Sequence, residues 1–302
     1  MSPKGSSCVN NVSRKWRKRF VVASFLSPAL LLYVVFMIFP IGQAVRLSLY
    51  DWDGGSREMN FVGLDNYWLT LQDNVFIQAL KHNVIWMVLD LILMVLPVLA
   101  LAVMISRLDK GKLFFRAGFY LPAVLSLPVI GILWGKIYDP LIGPVNAILK
   151  AVGLEFLAFN WLGDPRTVLI SLVLVGVWAF YGLYMILFLA GLQSIDQSLY
   201  ESAEIDGAGP LRKFWSITVP ALRNTMNVVI SLVIIYGFKS FGLIWIMTLG
   251  GPYYTSEVLA TYIYKAAFIA NKISYGAAGS VILAIIVVLL TIVFNASRER
   301  EG

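Results

Sequence analysis

Six apolar runs of about twenty or more residues, at roughly 20–45, 84–105, 117–138, 167–191, 226–248 and 276–296, recur along this chain of 302 residues. Each meets the length needed to cross a hydrocarbon core about 30 Å thick. Composition agrees: 59% of residues are hydrophobic and 14% charged, whereas a soluble domain carries about 25% charged and about 45–50% apolar residues. The expected fold class is an all-α polytopic membrane protein with six transmembrane helices.

The first run follows the basic cluster Arg14, Lys15, Arg17, Lys18 and Arg19, as the apolar core of a secretory signal would. A signal core is about 7–15 residues long and ends at small residues. Here the run continues through Pro40 into PIGQAVRLSL, so it reads as a retained helix. With a cytoplasmic N-terminus, fifteen of the 24 Lys and Arg fall inside: Lys4 and the cluster, then Arg107, Lys110, Lys112 and Arg116, then Arg212, Lys213 and Arg223, then Arg298 and Arg300. That bias places both ends in the cytoplasm. The net charge of +7 is mainly this bias with some attraction to anionic lipid, and needs no nucleic acid. The chain divides into a basic segment at 1–19, a transmembrane domain at 20–296 and a tail at 297–302.

Several function classes lose support. One Cys, Cys8, and one His, His82, make neither a disulfide framework nor a metal site. His82 beside Asn83, at the outer start of the second run, reads as interfacial. No G-x-x-x-x-G-K-[ST] occurs, so ATP chemistry must come from another chain. The external loops carry turn residues and aromatics such as Tyr50, Trp52, Trp161, Tyr253 and Tyr254, which suit an interfacial belt.

Residues 192–222 break the pattern, because ESAEIDGAGPLRKFWSITVP is charged and short-periodic inside an apolar chain. Ser198 followed by Glu201 reads as a capping box for a short helix at 199–206. Gly207 is placed to end it and Pro210 to start a second helix, since a missing N–H costs nothing in the first turn. Leu211, Phe214, Trp215 and Thr218 recur at helical spacing as one apolar ridge, and Pro220 stops the helix. Such a folded helix–turn–helix either lies on the membrane or docks into a partner's groove.

This segment resembles the EAA loop of the membrane subunits of binding-protein-dependent ABC importers. The pattern E-A-A-x-x-D-G-A-x8-I-x-L-P is met by Glu201, Ala203, Asp206, Gly207, Ala208, Ile217 and Pro220, with Ser202 for the first Ala and Val219 for Leu. The flanks FLAGLQSIDQSLYESAEIDGAG and FGLIWIMTLGGPYYTSEVLATYIYKAAF resemble the maltose-type carbohydrate permeases, and the similarity runs from about Pro28 to Phe294. The resemblance implies a bacterial inner-membrane permease with no catalytic or cofactor site of its own. Its partners would be a homologous second permease, two ATPase subunits that bind ATP and Mg, and an extracytoplasmic solute-binding protein that delivers a carbohydrate. It further implies that the loop forms coupling helices seated in the ATPase, with Glu201 in contact, Gly207 at the turn, and Phe214 and Ile217 as anchors.

Ionisable residues inside a span are functional candidates because burial in hydrocarbon is costly. Asp90 in the second run and Lys239 in the fifth stand out, with Phe241 and Trp245 after Lys239 offering aromatic faces to a sugar. Trp178 and Tyr181 in the fourth are further candidates, and each also reads as helix packing. The rival classes are an ion-gradient-driven secondary transporter or channel half, which leaves the 192–222 loop unexplained, and a membrane enzyme, which lacks a clustered His, Asp or Cys set.

Overall fold

The computed structural model describes residues 7–299, with side chains from 20 to 298. Lys4 and Arg300 lie outside the described residues, and Cys8 and the basic cluster at 14–19 lie outside the described side chains. Among the described residues, five helices are long and apolar enough to cross a membrane: Phe20–Leu47, Asn74–Ser106, Val168–Leu192, Arg223–Met247 and Ile273–Arg298.

The expected third span is not one rod. It forms two helices, Lys112–Val124 and Leu127–Ile137, bent by 98°. Pro122 removes a donor from the last turn of the first limb. Leu125 and Ser126 are extended, with ψ of 144° and 146°. Pro128 then sits in the first turn of the second limb, where no donor is required. The limbs of 13 and 11 residues reach about 20 and 16 Å, so neither crosses a core about 30 Å thick alone. The pair makes a sixth span only as one broken crossing.

Val168–Leu192 is the central helix. It is apolar on nearly every face, as a helix surrounded by other helices must be. It packs against Lys112–Val124 and against both halves of the second span, Asn74–Met94 and Leu96–Ser106. The largest core joins Met94, Val98 and Leu99 to Met185 and Phe188, and to Val229 and Val233. At Gly182 a Cβ would stand 2.2 Å from the carbonyl oxygen of Phe119, so only glycine lets these two backbones come this close. Gly182→Ala is therefore expected to destabilise the bundle by roughly 1–3 kcal/mol through overpacking. Thermal unfolding in detergent measures it, and an unchanged midpoint would show that the seam relaxes freely.

The first span differs. Every residue from 20 to 42 is exposed, and only its end, Phe39–Leu47, is seated against the last helix. Beyond it a two-stranded hairpin, Tyr50–Asp51 with Asn60–Phe61, and the helix Asp65–Gln72 fill the first loop.

Candidate functional site

Two places carry polar chemistry on this scaffold, the folded loop at 193–222 and a cavity beside the fifth span. In the loop the cap is Asp196, whose Oδ1 accepts from the Ser198 N–H at 3.0 Å and whose backbone is extended. This corrects the expected capping box at Ser198 and Glu201: the helix is Gln197–Ile205, starting two residues earlier, and Asp196, itself a strong N-cap residue, takes the cap position first. The Ser198 N–H holds the Asp196 carboxyl below the usual carboxylate range. Gly207 has φ +72°, and the turn closes with the Gly207 N–H on the Glu204 carbonyl and the Ala208 N–H on the Ala203 carbonyl, at 3.0 and 2.8 Å. These two bonds satisfy carbonyls that a helix end leaves open.

Pro210 opens the second helix as expected. Pro220 does not close it. A π-turn at Phe214–Thr218 pairs the Val219 N–H with the Phe214 carbonyl, so Pro220 falls at a fresh helix start that needs no donor, and the chain breaks instead at buried Leu222. The expected ridge is also divided. Phe214 packs on the core and Thr218 is fully buried, while Leu211 and Trp215 are exposed along with Ile205. Two contacts clamp the helices together: Lys213 with Glu204 at 3.1 Å, and Tyr200 with Thr218 at 2.9 Å. Glu201 and Asp206 face outward and Ile217 is half-buried.

The fifth span is interrupted. Helix Arg223–Phe238 ends at Lys239, and Gly242–Met247 resumes it. Carbonyls freed by such a break are costly in an apolar setting, and Asn83 meets them. Its Nδ2 donates to the Gly237 carbonyl at 3.0 Å, and its Oδ1 accepts from the Leu259 N–H at 2.8 Å. Beside the break lies a cavity of about 270 Å³, lined by Asp90, Trp86, Tyr184, Tyr236, Lys239 and Phe241 among others. Asp90 is buried; its Oδ2 accepts from Trp86 Nε1 at 2.9 Å, and its Oδ1 has no partner. Trp245 stacks on Phe241 at 5.5 Å and 12°.

Residues 81–300 match the model of the binding-protein-dependent transport system inner membrane component family. The chain is a member of that family. It is 38% identical to the probable ABC transporter permease protein YurN of Bacillus subtilis (strain 168), covering 91% of this chain and 96% of that one. It is 31% identical to the diacetylchitobiose uptake system permease protein NgcF of Streptomyces coelicolor, over 92% of this chain and 82% of that protein. Its fold matches a chain of a bacterial alginate ABC transporter, solved in complex with an alginate pentasaccharide-bound periplasmic protein. That match has a TM-score of 0.82 at 23% identity and covers 97% of each chain.

The permease thus gathers some of the residues singled out from its sequence and separates others. Asp90, Lys239 and Phe241 share the cavity, and Trp245 stacks on Phe241. Trp178 and Tyr181 line a different, apolar groove with Phe114, Phe119 and Pro122. His82 makes a tertiary contact: its Nδ1 lies 2.8 Å from the Glu257 carbonyl oxygen, tying the second span to the loop before Leu259. Glu257 itself is fully buried and paired with Lys265, over which the Tyr254 ring lies at 5.4 Å. Sequence reading missed Asn83 as a brace and Glu257 altogether. An amide inside an apolar run was the available signal for the first.

Proposed function

We propose that this permease translocates an oligosaccharide or related polar solute through the cavity at the break in the fifth span. The unpartnered Asp90 Oδ1 carries this reading. A buried carboxylate oxygen without a donor is costly, and a solute hydroxyl is a donor that relieves it. Phe241 and Lys239 add an aromatic face and a cation at the same wall. The names of NgcF and of the alginate transporter, both tied to saccharides, support the substrate class.

In this reading the permease pairs with a homologous second permease, receives solute from an extracytoplasmic binding protein, and sits in the bacterial inner membrane with both ends cytoplasmic. Two ATPase subunits hydrolyse ATP with Mg and drive it through the loop bearing Glu201, Ala203, Asp206, Gly207, Ala208, Phe214, Ile217 and Pro220. The loop suits that task physically: it is clamped as one body, anchored by Phe214, and presents Leu211 and Trp215 outward.

Proteoliposomes holding the assembled transporter, with its binding protein outside and a panel of glycans, provide the test. Uptake is expected to require ATP and to persist when ionophores collapse ion gradients. Uptake driven by an imposed gradient without ATP would instead favour a secondary transporter. Orientation is checked separately, since a cysteine at position 213 should be shielded from an impermeant thiol reagent in intact cells. Labelling there from outside would invert the topology.

A further inference from the structure

A second polar cleft, of about 540 Å³, separates the loop helices from the end of the bundle. Arg107, Lys112, Arg116 and Lys213 line it, against only two carboxylates, Asp109 and Glu204. Lys213 is paired with Glu204, and Lys112 Nζ donates to the Ser106 carbonyl at 2.9 Å. Arg107 and Arg116 have no carboxylate partner among the described residues, and Arg116 Nε is buried without any acceptor. The positive bias that orients membrane proteins accounts for cations on a surface. It does not account for a buried guanidinium N–H turned away from water.

Three features narrow what such a donor would take. The helix Lys112–Val124 starts at the cleft with no side-chain cap, so its first-turn N–H groups and the positive end of its dipole favour an anion. Arginine's planar fork matches a phosphate better than a halide or a single hydroxyl. On the same first turn Leu113 and Phe114 are 80% and 77% exposed, an apolar flank suited to acyl chains. We propose that this cleft binds the phosphate of an anionic ligand, either a phospholipid headgroup or free phosphate, and that the bound anion bridges the Arg107–Arg116 turn to Lys213 on the loop. The loop's stiffness against the bundle would then depend on the anion.

The test uses the full-length chain, purified and delipidated, with native mass spectrometry counting retained lipid. Wild type is expected to retain phosphatidylglycerol over phosphatidylcholine by about tenfold or more, at about 1 kcal/mol per basic contact and 1.4 kcal/mol per decade. Arg107→Gln with Arg116→Gln should erase the preference, and Arg116→Lys should keep part of it. Excess inorganic phosphate distinguishes the sources: displacement of the lipid, or binding in its place, identifies free phosphate as a ligand, and no effect identifies the headgroup. Should the double variant not fold, phenylglyoxal mapping of wild type serves, with phosphatidylglycerol or phosphate expected to protect Arg107 and Arg116. Equal lipid retention by wild type and double variant without phosphate binding, or absence of protection by either ligand, overturns the proposal.

Discussion

Gly207→Val is expected to release the ATPase subunits from the permease, or to uncouple their turnover from uptake, while leaving the chain inserted. A β-branched residue at φ +72° is strained by roughly 1–3 kcal/mol. No neighbouring atom lies within 4 Å of a Cβ there, so the cost is one of backbone alone. Relieving it opens the Gly207–Glu204 and Ala208–Ala203 bonds and swings the Pro210 helix, which moves Leu211 and Trp215. Co-purified ATPase should fall about tenfold or more, the equivalent of 1.4 kcal/mol. Glu201→Lys tests the same surface without touching the fold, because Glu201 is exposed and Asp196 is the cap. If both variants keep full ATPase binding and substrate-stimulated turnover, the loop is not the coupling element.

Asp90→Asn is expected to lower uptake efficiency by about ten- to a hundredfold, the scale of leaving a buried polar group unsatisfied at roughly 1–3 kcal/mol. The substitution keeps an acceptor for Trp86 Nε1, so the pair at 2.9 Å and the fold are retained. Asp90→Ala would confound the result by leaving that indole N–H buried and unpaired. Lys239→Ala should also reduce uptake, with basal ATPase rate and assembly intact. Trp178→Ala, in the separate groove with Phe114 and Phe119, should affect uptake far less. Unaltered transport kinetics in both Asp90→Asn and Lys239→Ala, across the glycans that wild type carries, would remove the cavity from the translocation path.

What the sequence disclosed follows from how far apart the interacting residues are. The loop was legible because Gly207 and Pro210 act through their own dihedrals and donors, within a few residues. Its errors were equally local: Asp196 competed with Ser198 for the cap, and the π-turn at Phe214–Thr218, which has no simple residue signature, carried the helix past Pro220. Five of the apolar runs appeared as long helices. The third was bent because LPAVLSLP holds two prolines around an extended pair, a feature that run length alone does not register. The cavity was half legible. A carboxylate and an ammonium within apolar runs mark themselves, but that Trp178 and Tyr181 face another groove depends on how the fourth span is rotated, which a nearly all-apolar helix does not encode.

The brace at Asn83 has a consequence for the order of biosynthesis. Asn83 bonds to Gly237, 154 residues downstream, and to Leu259, 176 residues downstream, while His82 meets Glu257 across 175. At a synthesis rate of about 5–20 residues per second, the second span waits roughly ten to thirty seconds before these partners exist. During that interval Asn83 must be satisfied by water, lipid headgroups or the insertion machinery. A chain truncated after residue 230 should accordingly expose a cysteine placed at position 83 to thiol reagents that the complete protein excludes. The polar contacts that fix the second span are thus supplied by the last third of the chain to be made.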